Sequence, residues 1–243
     1  MIGQGIAALV TGLIGNQLAE NTTVIDSQRL REQILILSEI LASIQFPERP
    51  AFLPYQVDHY SFNIATNERE LLETFKLRFI AYSPPEVAYI NPANFPLGLE
   101  FDIYDKVSIH FYARDIITGL LCGTSRMVED SPLGLQVEKG LNILDYRQHY
   151  KVCEMSRMIS YPRRQPVVNR NLIAIVKRIA RERGIEKIVG ESRLAQKNYF
   201  DRIGFVPMVP FRSWNLRDKK VWGSEREEIV YGNILHLDQE GLK

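Results

Sequence analysis

Cysteine is nearly absent, with Cys122 and Cys153 the only two in 243 residues. Two distant thiols build neither a disulfide framework nor a zinc cluster, and this usage fits a reducing compartment, so a cytoplasmic location is expected. Histidine is as scarce: His59, His110, His149 and His236 follow no ligand spacing, and no metal site is expected. A surplus of charge is missing too. The 30 basic residues nearly cancel 29 acidic ones, so the totals give no reason to expect a nucleic-acid partner. There is no internal repeat, heptad array or low-complexity tract. The opening run Met1 to Leu18 is apolar but holds Gln4, Asn16 and Gln17 and no basic residue. It therefore does not read as a secretory signal, and its length is marginal for a bilayer. It is expected to be mobile or covered by a partner, with membrane contact as the alternative.

What is present suits a globular α/β chain. Hydrophobic residues make up 45% of the sequence, enough to offset the entropy of ordering a core. From Ser27 to Ile44, Leu30, Ile34, Leu37, Leu41 and Ile44 recur four and three apart, one stripe on a helix. That stripe needs a partner surface, either the main domain or a second copy of the chain. Pro47, Pro50 and Pro54 then deny helical continuity. Residues 1–59 are accordingly expected to form a helical extension and proline-containing arm, and 60–243 the main domain.

Within that domain, Tyr60 to Ala65 reads as a strand, and Asn67 with Glu70 as a capping box for a helix carrying Leu71, Leu72, Phe75 and Phe79. Lys106 to Arg114 alternates apolar and polar residues as a strand does. Ile116 to Val128 and Lys151 to Ile159 are the next expected strands, joined by helical or looped structure over Leu133 to Tyr150. A helix is expected over Asn169 to Arg183, a strand at Lys187 to Gly190, and a short helix holding Leu194, Tyr199 and Phe200. Alternating strands and helices call for a sheet covered on both faces.

Three segments carry candidate chemistry. Glu100-Phe101-Asp102-Ile103-Tyr104-Asp105, if extended, turns Glu100, Asp102 and Tyr104 to one side and Asp105 to the other. A polar strand entrance binding backbone and arginine groups is favoured there over paired catalytic carboxylates, although a turn would gather them. In Glu154-Met155-Ser156-Arg157, an extended backbone aims Glu154 and Ser156 to one face and Arg157 to the other. Ser156 lacks the flanking glycines of a nucleophile elbow, and Cys153 lacks a base, so covalent catalysis is not expected. The segment from Tyr161 to Arg170, with Arg163, Arg164 and Arg170, leads into a helix, where guanidinium and N–H groups can bind phosphate or an acidic carrier surface.

Taken in order, Arg78, Glu100 to Asp105, Gly123-Thr124-Ser125-Arg126 and Glu154 to Arg157 resemble the autoinducer-synthase branch of the GNAT-like acyltransferases. They resemble the related N-acyl amino acid synthases more closely. Asn198 to Phe205 resembles the late helix and Gly-Phe turn of the wider superfamily. The resemblance implies a GNAT-like fold, a central mixed, twisted sheet flanked by helices, and transfer of a fatty acyl group to the amine of an amino acid or other small amine. It implies a charged network of Arg78, Asp102, Asp105, Arg126, Glu154 and Arg157. In that network Asp102 and Asp105 form the acceptor side, Arg126 and Arg78 pair with it, and Glu154 and Arg157 organise the reaction centre. No tryptophan follows Arg78 early in the chain, the two present being Trp214 and Trp222, which favours a small amine over S-adenosylmethionine. The segment from Pro162 to Arg170 lacks a glycine-rich pyrophosphate loop. The expected donor is therefore a phosphopantetheine thioester on an acyl carrier protein, with long-chain acyl-CoA second.

Direct aminolysis is the expected mechanism, with no permanently bound cofactor. Glu154, or a water positioned by it, removes the ammonium proton, and Asp102 is the alternative orienter. Phe101, Ile109, Phe111, Leu121 and Met155 are candidate walls for the acyl chain, each equally suited to filling core. The rival expectation is a noncatalytic protein that senses acyl carriers or acyl-CoA.

Overall fold

The computed structural model describes residues 27–85, 87, 89–161, 165–193, 196–208, 213–215 and 229–237. The expected opening segment, Arg163, Arg164 and Leu194 lie outside them. The elements are α1 (Ser27–Ser43), β1 (Tyr55–Val57), β2 (Tyr60–Ile64), α2 (Glu68–Tyr82), β3 (Ser108–Asp115), β4 (Leu121–Glu129) and α3 (Leu144–His149). They continue with β5 (Val152–Ser160), α4 (Pro166–Glu182), β6 (Lys187–Arg193), α5 (Lys197–Arg202), β7 (Val206–Pro207), β8 (Ser213–Asn215) and β9 (Ile229–His236). The strands form one mixed sheet in the order β1-β2-β3-β4-β5-β6-β9-β7, with β8 also on β9. β5 and β6 run parallel and the other pairs antiparallel. No helix among the described residues is long and apolar enough to cross a membrane.

Local signals account for the framework. Asn67 caps α2, its side chain accepting from Glu70 N at 3.1 Å. The Glu70 carboxylate takes Thr66 N at 2.8 Å, so the box closes one residue early. The apolar face of α4, including Leu172, Val176 and Ile179, lies on β-sheet residues Ile109, Phe111, Met127 and Met155. On the opposite face, Leu37, Ile40 and Leu41 of α1 pack with Leu71 and Phe75 of α2 and with Leu97, Leu99 and Phe101. The partner surface that the α1 stripe requires is thus within the chain, and the proline-containing arm supplies edge strand β1.

One expected boundary moves, and the expected crossover takes definite form. Ile116 to Leu120 is a turn rather than the start of a strand, because Asp115 Oδ1 accepts from Ile117 N and Thr118 N, and Gly119 takes a φ of +72°. The crossover over 133–150 holds a 3-10 turn, Gln136–Lys139, and the short helix α3. A third apolar cluster joins this crossover, through Leu135, Val137 and Leu141, to Val152 of β5, Val189 of β6 and Ile234 of β9.

Candidate active site

Between the second and third apolar clusters lies a buried ionic cluster. Asp102 and Asp105 are the two ends of a capping box on a 3-10 turn, Ile103–Val107. Asp102 Oδ1 accepts from Tyr104 N at 2.9 Å, and Asp105 Oδ2 accepts from Asp102 N at 2.7 Å. This turn overrules the extended reading and points both carboxylates inward beside Glu100. Three arginines from different elements meet them. Arg78 of α2 donates to Glu100 through Nε and to Asp105 through Nη1 and Nη2, at 2.8 and 3.2 Å. Arg126 of β4 donates to Asp102 at 2.7 Å, Asp105 at 2.9 Å, Gln136 at 2.6 Å and Ser156 Oγ at 3.1 Å. Arg157 of β5 donates to Glu100 at 3.0 Å, Gln136 at 3.2 Å and Asp102 at 2.6 Å.

Arg157 was expected on the face opposite Glu154 and Ser156, and a bulge reverses this. Thr124 pairs with Ile159 and Arg126 with Ser156, which sets two β5 residues, Arg157 and Met158, against one on β4. Arg157 adopts a φ of +54°, a strained conformation for a side chain of its size. That turn carries its guanidinium into the cluster.

The cluster is electrically self-sufficient, three guanidinium groups against three carboxylates. Burial pushes Asp105 upward, but Arg78 and Arg126 outweigh it and hold the carboxyl far below the usual range. Asp102 is lowered as well, with Arg126 the largest opponent of its burial. His110 packs edge-on against Phe75 and contacts the Asp105 carbonyl through Nε2 at 3.1 Å. Burial pulls its pKa down to about 4, so it is neutral at pH 7 and donates there.

Glu154 lies beside this cluster and is 3% exposed. Its Oε2 accepts from Val137 N at 2.8 Å, and the nearby Ser156 hydroxyl favours its ionised form. Burial raises its pKa, although Arg126 works against the rise. The pairing of β5 with β6 ends here: Val152 with Lys187, Cys153 with Ile188 and Glu154 with Val189 are the only partners among the described residues. Both strands run on to Ser160 and Arg193, leaving an opening between parallel strands. At its apex the backbones touch closely, for a Cβ on Gly190 would lie 2.9 Å from Met155 O.

The sequence-derived set is only partly gathered. Arg78, Asp102, Asp105, Arg126 and Arg157 meet directly, and Glu154 adjoins them from the face of β5 that also carries Ser156, which Arg126 holds. The five acyl-wall candidates are distributed over different parts of the fold. Ile109, Phe111 and Met155 belong to the core under α4, Phe101 packs on Phe75 across the sheet, and Leu121 is half-buried at the start of β4. Met155 borders the opening. Arg170 lies apart, rimming a hollow of about 420 Å³ together with Lys177 of α4 and Arg202, over Ile173, Ala174 and Ile203.

Three residues escaped the sequence reading. Gln136 uses one oxygen to bridge Arg126 and Arg157. Glu191 lies on β6 past Val189, half-buried. Tyr199 of α5 has an enclosed hydroxyl with no hydrogen-bond partner among the described residues.

No protein-family model matches the chain, and no curated protein does. Solved structures do match. An N-acyl amino acid synthase, FeeM, from uncultured soil microbes superposes with a TM-score of 0.55 at 15% identity, over 74% of this chain and 92% of that one. The chain has the GNAT-like acyltransferase fold. A putative N-acetyltransferase from Lactobacillus plantarum matches this GNAT-like chain with a TM-score of 0.51 at 12% identity, covering 74% and 99%. A CoA-dependent acyl-homoserine lactone synthase, BjaI, solved with SAM and isopentyl-CoA, matches with a TM-score of 0.50 at 17% identity, covering 72% and 79%. At such identities the likeness establishes the fold, and the chemistry must be argued from the site.

Proposed function

We propose that this GNAT-like protein transfers a fatty acyl group from a carrier thioester to the amine of an amino acid or another small amine. The observation that carries the reading is the opening between β5 and β6, bordered on one side by Glu154 and the ionic cluster. A thioester laid in this opening meets β5 amides past Glu154 that β6 no longer uses. Such donors stabilise the charge that builds on the carbonyl oxygen, by on the order of 3 kcal/mol for a well-aimed group. The leaving thiolate is already a good one, so the protein's work is orientation and exclusion of water.

The ionic cluster serves this by rigidity. Arg78 and Asp105 are enclosed and hold its centre, while Asp102, half-buried at the rim and already held by Arg126 and Arg157, is the most accessible of the paired carboxylates toward an incoming ammonium. Glu154 sits at the inner end of the opening, where Val137 N–H holds its carboxyl group. On the donor side, Arg170 and the hollow it shares with Lys177 and Arg202 offer cations to phosphate or to an acidic carrier surface. Arg163 and Arg164, which precede Arg170 in the sequence, are assigned the same donor-binding role. An acyl carrier protein is the first choice of donor and acyl-CoA the second.

The test is to incubate the protein with carrier-protein and CoA thioesters of several chain lengths and a pool of amino acids and polyamines, reading intact product masses. Amide formation with matching release of thiol is expected. Thioester binding with no amide would make the protein a sensor of acyl carriers, and neither binding nor product would end the reading.

A further inference from the structure

Glu154 is poorly placed to take a proton. Val137 N–H already occupies one of its carboxylate oxygens, and almost none of it is exposed. Glu191 is differently situated. It follows Val189, the last β6 residue paired with β5, by two positions, so it shares Val189's face and stands where the strands have parted. Val189 belongs to the cluster that includes Val137 and Leu141, on the same side as Glu154 and the arginines. Across β6, Glu191 is paired with Gly232, and the Leu141 side chain lies against that glycine. The carboxylate thus has an apolar wall behind it and the opening in front. It forms no hydrogen bond or ion pair with another described residue.

We infer that Glu191, rather than Glu154, accepts the proton from the acceptor's ammonium group, with Glu154 its positioning residue. This rests on the acyl-transfer reading above. The acceptor R–NH3+ gives one proton to the Glu191 carboxylate and becomes R–NH2. Its lone pair forms the C–N bond to the thioester carbon, and the C–S bond breaks with its electron pair on sulphur. The thiolate receives a second proton from the new amide nitrogen, and Glu191 returns its own to solvent. Amide, free thiol and one H+ are the sum.

The surroundings tune this role. Burial first, and the Glu154 charge second, push Glu191 up to about 8, while Arg157 opposes them. These two are the charged groups that β5 presents. The 136–139 turn carries Glu138, engaged by Arg147, and Lys139, over the Tyr104 ring. β9 offers no ionic side chain from Gly232 to Leu235. A base near neutrality is far better matched to an ammonium group than an ordinary carboxylate.

The experiment measures single-turnover amide formation from acyl-carrier thioesters with the amino-acid and polyamine pool, across pH, for the parent, Glu191→Gln, Glu191→Asp and Glu154→Gln. Hydroxylamine, already neutral at pH 7, serves as a second nucleophile that needs no base. The parent rate should rise through about 8 as Glu191 ionises. Glu191→Gln should lose about 10²–10⁴-fold with amines and much less with hydroxylamine. Glu191→Asp should retain part of the rate and the rise with pH. Glu154→Gln should move the midpoint to lower pH, since it removes a negative neighbour. Parent-like rates and profile in Glu191→Gln, or equal losses with both nucleophiles, would overturn the assignment while leaving acyl transfer standing. A parent protein that makes no amide takes down both.

Discussion

Replacing Asp105 with asparagine is the sharpest test of the ionic cluster. The side chain is fully buried and accepts from Arg78 twice, from Arg126 and from Asp102 N. Asparagine keeps the volume but removes one negative charge, leaving three guanidinium groups facing two carboxylates. Leaving a buried charge uncompensated costs about 3–5 kcal/mol. In a domain of this size each kcal/mol moves Tm by about 2–4 °C, so a fall of about 6–20 °C is expected. The pH dependence has a definite sign. The folded pKa is depressed, so the stabilisation is complete above the unfolded value of about 3.9 and fades as pH falls below it. Thermal melts of parent and Asp105→Asn at pH 7 and at acid pH should therefore converge on acidification. Glu129→Gln, which loses an exposed pair with Arg183, is the control and should change stability by less than about 1 kcal/mol. An Asp105→Asn melt within about 2 °C of the parent at pH 7 would refute the claim that the cluster is held by compensated charge.

Three further outcomes are expected. Gly190→Ala places a methyl 2.9 Å from Met155 O, so the strands must shift at the apex of the opening; a loss of about 1–3 kcal/mol in urea unfolding and a weaker donor KM should accompany it. Tyr199→Phe removes an enclosed, unpaired hydroxyl, so urea unfolding should show equal or greater stability, while amide formation slows if that hydroxyl faces the reacting groups. Leu37→Ala opens the interface of α1 with α2 and should lower stability by about 2–5 kcal/mol, read from the same unfolding curves, without altering the pH profile of transfer.

Helices α1, α2 and α4 and strand β3 were legible because periodicity is local. The turn at Ile116 to Leu120 was signalled too, by Asp115 and Gly119, but the apolar pair Ile116 and Ile117 argued for strand. What alternation could not show is where it breaks. The gathering of Glu100, Asp102 and Asp105 depends on two aspartates capping their own turn, and the place of Arg157 on a positive φ at a residue that rarely adopts one. In the sequence Gly190 reads as the end of a strand, which hides Glu191 one position beyond; the glycine marks instead the close approach of Met155. Side-chain polarity identified Phe101, Ile109 and Phe111 as interior, yet it carries no information on which side of the sheet an interior residue falls.

The ionic cluster also constrains how the chain comes together. Its members are drawn from α2, a loop, β4, a crossover turn and β5, spanning positions 78 to 157. An arginine dried ahead of its acids would be strongly disfavoured, so no fragment gains by closing the seam early. Folding is therefore expected to be cooperative across this seam, which coincident unfolding transitions from probes on either flank would show.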